Sequence, residues 1–360
     1  MINGMPVIDA IVHPFNFSRE NFSNRFGHHF TEMIVRSSLH NNAEPYRVPE
    51  KAFRRNWGIE EIANAAFIES DTDLAVYHVL PLNAFKDGAC SLEKAIEARR
   101  RWPNRFIFYV GVDPMQGPAA LEEMQRQYDA LEGDVVGLKL YPNSWLGEEI
   151  RGWLMSDPDI AFPVFRKARE LGLRTVAIHK AFAMGPAEML HYRVDDVDFA
   201  AKEFPDINFE IVHGGLAFVE ETAWQLRRFS NVYANLESTT MNLTTRPLAF
   251  ENVLVSFMRF PYMVEHILWA TGGCMVGHPQ MLLDAFMSLK LRDSTVNEGY
   301  VPQITDEDKR KILGENYARM TGIDLAARLR AVENDEFAQR RKEYLARPAP
   351  FSTTRVAEFA

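Results

Sequence analysis

The sequence predicts an α/β fold, a (β/α)8 TIM barrel with an aromatic insertion after its first strand and helices at its C-terminal end. Three observations predict it. Eight short apolar runs, near 7–13, 73–80, 105–112, 134–141, 173–179, 207–213, 231–237 and 265–271, alternate with segments of helical periodicity. No glycine-rich turn follows the first run, as a doubly wound dinucleotide-binding sheet would normally require. Successive runs also end on metal-competent side chains. The clearest unit spans 174–215: strand RTVAIH, helix VDDVDFAAKEFP and strand FEIVHGG place His179 and His213 at two neighbouring strand ends. In a barrel, those ends face the crevice where the chemistry sits.

At 360 residues the chain exceeds a typical domain, but α/β barrels reach this length as one unit. A hydrophobic fraction of 47% with 25% charged residues fits a globular protein with a large core. The net charge of −9, with no basic block, argues against nucleic acid and anionic membrane surfaces as partners. Cys90 and Cys274 alone cannot build a disulfide framework or a cysteine zinc site. The N-terminus lacks a signal-peptide pattern and no run is long enough to span a membrane, so a cytoplasmic location is expected.

The elements follow in order. MPVIDAIVH is the first strand, with Val7, Asp9, Ile11 and His13 on one face by alternation, and Pro14 ends it. Residues 15–57 leave the βα rhythm and carry eight Phe, Tyr or Trp residues, from Phe15 to Trp57. Such a segment is expected over the barrel mouth as a lid or subunit contact, helical near Phe30–Arg36. The rhythm resumes with GIEEIANAAFIES and DLAVYHVL. In GLKLY, Lys139 alternates toward the barrel interior. Gly172 is a helix C-cap, and Thr305 caps a helix with acids in its first turn. The chain divides into a barrel at 1–322 and a helical arm at 323–360, whose composition suits docking on a neighbouring subunit or disorder.

His13, His179 and His213 converge at one barrel mouth on this strand count. Three neutral imidazoles can hold Zn2+, or Mn or Fe, with a position left for water or substrate. His213 and Glu237 are the candidate catalytic residues, Glu237 as a base or carboxylate ligand. Lys139, with Arg19, Arg25 and Arg36 of the insertion, is the candidate binder of a small flat carboxylate. His278, in the GHP turn after the eighth strand, is a weaker candidate.

IDAIVH, GLKLYP, AIH, IVHGG, ILWATG and ILGENYARM, in that order, resemble the amidohydrolase superfamily, in particular its branch of aminocarboxymuconate-semialdehyde decarboxylase-like enzymes. The resemblance implies a metal-dependent hydrolase or non-oxidative decarboxylase of a small carboxylated substrate. It places a metal ligand at His179 and a proton shuttle at His213. Two positions depart from it: Ile11 stands where the first histidine of a His-x-His pair is implied, and Gly272 where an aspartate is implied. The departures leave three readings: a rearranged metal site, a barrel working without metal, or a degenerate subunit supporting an active paralogue, for example in a dimetal oxygenase complex. Homo-oligomers, or hetero-oligomers with such a paralogue, are expected partners.

Overall fold

The computed structural model describes residues 1–42, 46–274, 277–299 and 301–354. The end of the expected arm, 355–360, and residues 43–45 of the insertion lie outside them. Eight parallel strands form the sheet: β1 (Ile8–Val12), β2 (Leu74–His78), β3 (Phe106–Gly111), β4 (Gly137–Leu140), β5 (Thr175–His179), β6 (Asn208–Val212), β7 (Val232–Asn235) and β8 (Ile267–Leu268). Each pairs with its neighbour in chain order, as right-handed βα crossovers dictate. The eight runs expected from the sequence are the eight strands. The insertion is there too, its helix running over Arg25–Asn41.

Closure brings β1 beside β8. Ala10 N–H donates to the Trp269 carbonyl at 3.0 Å, and Gly272 N–H to the Ile11 carbonyl at 3.0 Å. The register along β1 slips: Asp9 pairs with Ala75 but Val12 with Tyr77, so one extra residue is bulged. The bulge corrects the simple alternation expected for this strand. Ile8, Ala10 and Ile11 share one interior cluster with Leu74, Val76 and Ile107, while Asp9 turns to β8. There its Oδ1 accepts from Thr271 N–H at 2.8 Å and its Oδ2 meets the Thr271 hydroxyl.

The barrel interior is packed rather than open. At mid-height Tyr109, Thr175, Glu210 and Asn235 form a buried polar layer, with Tyr109 bonded to Glu210 and Thr175. Gly137 makes room for it, since a Cβ there would lie 2.6 Å from the Tyr109 ring. This layer closes the barrel below the C-terminal rim.

The insertion aromatics are buried on the chain's own barrel, as a lid would be: Phe15, Phe17, Phe26, Phe30, Phe53 and Trp57 all belong to the core. The arm likewise docks on its own barrel. Phe337 is fully buried between Phe67 and Trp102, and Arg105 makes a two-pronged ion pair with Asp335. Thr305 caps its helix in a reciprocal box with Asp308.

Asp9 gives a test of closure. Burial raises its carboxyl from 3.8 to about 7, against the lowering effect of the Thr271 and Ile11 donors. A carboxyl raised on folding contributes stability that is complete below pH 3.8 and lost as pH rises through about 7. Asp9→Asn keeps the shape and cannot ionise. Denaturant titrations should show the wild type losing on the order of 4 kcal/mol across that window and the variant losing little of it. Parallel curves would mean that folding does not shift the Asp9 carboxyl.

Candidate functional site

The C-terminal rim holds a pocket, and the structure brings every primary candidate into it: His13, Lys139, His179, His213 and Glu237. His13 follows the bulge at the end of β1, and His179 is the last residue of β5. His213 lies one residue past β6, where alternation alone would turn it away from the inward Val212. Its backbone is left-handed (φ 65°), so both Val212 and His213 line the pocket. That conformation costs a non-glycine residue about 1 kcal/mol and recurs at the rim in Ala181 and Ser238.

Hydrogen-bond direction fixes where the protons sit. His179 Nε2 lies 2.8 Å from the Phe182 carbonyl, which can only accept, so Nε2 carries a proton. Burial pushes His179 well below the usual imidazole range, so it is neutral and its Nδ1 is an acceptor. His213 Nε2, 3.1 Å from that Nδ1, is therefore a donor. His213 Nδ1 meets Glu237 Oε2 at 2.5 Å. Burial raises the Glu237 carboxyl, but the His213 charge and hydrogen bond, with help from His13 and Ser238, bring it down to about 2. An ionised Glu237 requires a proton on Nδ1 as well. The resting site is thus one hydrogen-bonded chain running Glu237, His213, His179.

This chain explains the two departures at Ile11 and Gly272. Gly272 has φ +71°, and a Cβ on it would stand 2.4 Å from Glu237 Oε1. Glu237, reaching over from the end of β7, fills the space that a side chain at the end of β8 would occupy. Ile11 is packed in the apolar cluster inside the barrel with Ile8 and Val76.

The expectation of a divalent metal, Zn, Mn or Fe, held by His13, His179 and His213 is corrected by this geometry. Among the described residues no group of three or more His, Cys, Asp or Glu side chains is arranged to hold an ion. Two nitrogens that share a proton cannot both aim lone pairs at one cation. His179 spends its other nitrogen on Phe182, and His213 spends its other on Glu237. Of these three histidines, His13 keeps a buried ring nitrogen, Nδ1, without a hydrogen-bond partner. Burial, which outweighs the raising effect of Glu237, lowers His13 to about 3, so it is neutral and a weak base.

Lys139 is 1% exposed, and its Nζ sits 5.2 Å from the centre of the Tyr141 ring. It makes no ion pair among the described residues. Burial lowers it to about 8, with Glu237 and Glu210 acting in the opposite sense through space. His278 is not brought in. It caps the helix Pro279–Ser288, bonds Glu69 at 3.2 Å and stacks on Phe351. Arg19, Arg25 and Arg36 are exposed and do not line the pocket.

Sequence reasoning missed two contributors. Tyr141 stacks on His179 with centroids 4.6 Å apart, and its spacing of two from Lys139 already put it on the same face. Phe30, Ile34, Ser37 and Ser38 roof the pocket at helical spacing, a signal present within the Arg25–Asn41 helix.

Fold and site together define a (β/α)8 barrel with a closed acid–base pocket at its C-terminal rim. The amidohydrolase family model matches residues 8–323, and the chain belongs to that family. Membership supports a catalytic role for the barrel. No curated protein matches the chain. Among solved structures it is similar to an uncharacterised TIM-barrel protein from Bordetella bronchiseptica (17% identity, TM-score 0.61, 90% of this chain and 99% of that one). It is also similar to 2,6-dihydroxybenzoate decarboxylase from Rhizobium (14%, TM-score 0.56, 89% and 99%). A third is 5-carboxyvanillate decarboxylase from Sphingomonas paucimobilis (13%, TM-score 0.56, 89% and 100%). These likenesses are of fold. No helix among the described residues is long and apolar enough to cross a membrane.

The proton assignment is measurable. Ring nitrogen-15 NMR at neutral pH should show one doubly protonated histidine, lost as a resonance pair in His213→Asn, and one neutral Nε2–H histidine, lost in His179→Asn. Glu237→Gln should return His213 to the neutral form. A neutral His213 in the wild type would break the chain as drawn.

Proposed function

We propose that this chain is a metal-independent enzyme that removes CO2 from a small, flat carboxylic acid by general acid catalysis. The observation that supports the reading most is the direction of the hydrogen-bond chain: His213 starts with both ring protons, so the site is prepared to give a proton. Loss of CO2 leaves an electron pair on carbon, and that carbon needs one proton. His213 supplies it, Glu237 holds the ring in place, and solvent restores the proton after release. Hydrolysis asks instead for a base at the outset. His13, the pocket imidazole outside the chain, is lowered to about 3 and is too weak to take a proton from water at neutral pH.

The lining fits a flat acid. Phe15, Phe30 and Tyr141 offer ring faces, and Lys139 offers the opposite charge. An apolar wall disfavours a carboxylate relative to neutral CO2, which assists the bond cleavage. Two of the proteins that share the fold are described as decarboxylases of aromatic acids, which agrees in kind.

The test is CO2 release from a panel of hydroxybenzoates and 3-oxo acids by chelator-treated protein. Turnover should persist after EDTA, with metal far below one ion per chain by elemental analysis. His213→Asn, which tolerates the left-handed backbone, should lower kcat by about 10²–10⁴. Lys139→Ala should weaken binding of the acids by roughly tenfold or more. Activity that appears only on adding a divalent ion would overturn the metal-independent reading. A silent chain that co-purifies with an active paralogue would favour the supporting role instead.

A further inference from the structure

Lys139 has no purely structural explanation. The other buried lysines among the described residues are paired: Lys180 bonds Asp196 at 2.8 Å and the His191 carbonyl at 2.7 Å, and Lys309 bonds the Met287 carbonyl at 2.6 Å and the Leu289 carbonyl at 3.0 Å. Lys139 Nζ has neither an ion pair nor a hydrogen bond to any described residue, and its one close partner is the Tyr141 ring face. An ammonium ion without acceptors in a buried pocket is costly, which eases loss of its proton. In that form it is a primary amine at the end of β4. It opens on the same pocket as the His213 imidazole and the Glu237 carboxylate. A desolvated lysine beside an acid is the arrangement that makes an amine nucleophile.

Building on the decarboxylase reading, we propose that Lys139 is a covalent catalyst and that the substrate is a 3-oxo carboxylic acid. The Lys139 amine attacks the 3-oxo carbon, and the resulting hydroxyl takes a solvent proton and leaves as water, giving an iminium; hydrolysis in the last stage returns that proton. The C1–C2 bond breaks, CO2 departs, and its electron pair forms the C2–C3 double bond of an enamine while the nitrogen is neutralised. His213 gives its proton to C2 and regenerates an iminium. Water then hydrolyses this, releasing a ketone and the free amine. The water lost in the first stage is regained in the last, so the net change is acid anion plus one proton to ketone plus CO2. No metal or redox partner enters.

The lowering of Lys139 to about 8 agrees with this role, because the amine form grows as pH rises through that value. Tyr141 and Phe15 would flank the flat portion of an aryl-substituted acid, which makes benzoylacetate a suitable probe.

The experiment treats the full-length protein with benzoylacetate and sodium borohydride and maps the adduct by peptide mass spectrometry. A reduced 1-phenylethyl group on Lys139 is the expected result, with trapping faster at pH 9 than at pH 7. In water labelled with oxygen-18, the ketone should carry solvent oxygen from the first turnover, which wild-type protein reports without any variant. Lys139→Arg keeps the charge but cannot form the imine, and should lose trapping and at least a hundredfold in turnover. CO2 release with no adduct, no early oxygen exchange and activity surviving in Lys139→Arg would overturn covalent catalysis while leaving the acid-catalysed decarboxylase intact. Absence of both adduct and exchange with benzoylacetate and acetoacetate, alongside no CO2 from any acid, would overturn both.

Discussion

The contact between Glu237 and His213 organises the whole rim. A carboxylate and an imidazolium in a buried site stabilise each other only if both are held tightly, because either alone would be costly to bury. Here the holding is done from several elements. Ser238 donates to Glu237 Oε2 at 2.9 Å, and Asn235 accepts from the Glu237 backbone at 3.0 Å. His179 receives the second His213 proton. The left-handed backbone at His213 and Ser238 aims the two residues at one another. Gly272 keeps the space for the carboxylate clear.

That contact also decides what the pocket can do. A metal site needs unshared lone pairs converging on one point, and this rim spends them on a proton chain. The consequence is a site built on one carboxylate, two hydrogen-bonded imidazoles and a lysine that acts on the carboxylate only through space. The Tyr109–Glu210 layer below separates this charge from the lower barrel, and the roof helix Arg25–Asn41 limits access from above. Charges in such surroundings act strongly on a bound substrate because little water intervenes to screen them.

The bulge in β1 shows how one backbone irregularity serves two ends. It lets Asp9 reach Thr271 and fasten the first strand to the last. It also lets Ile11 and His13 turn inward where strict alternation would have kept Asp9 with them. Closing the barrel and placing His13 are therefore the same event. The arm contributes at the opposite end, where Arg105, Asp335 and Phe337 fasten it to its own barrel.

The sequence by itself determined the barrel and most of the rim. Apolar runs of strand length, helical periodicity between them and polar residues at the run ends are local patterns, and local geometry obeys them. That is why His13, Lys139, His179, His213 and Glu237 could be named as neighbours. What only the tertiary structure decided is how they use one another. Whether two histidines face an ion or share a proton depends on ring orientation and on a carboxylate from a third strand. The left-handed turn at His213 and the bulge at Asp9–Val12 break the very alternation from which a sequence reading works. Gly272 reads as a missing ligand in one dimension. In three it is the space that Glu237 needs, because the two residues, 35 positions apart, compete for one volume.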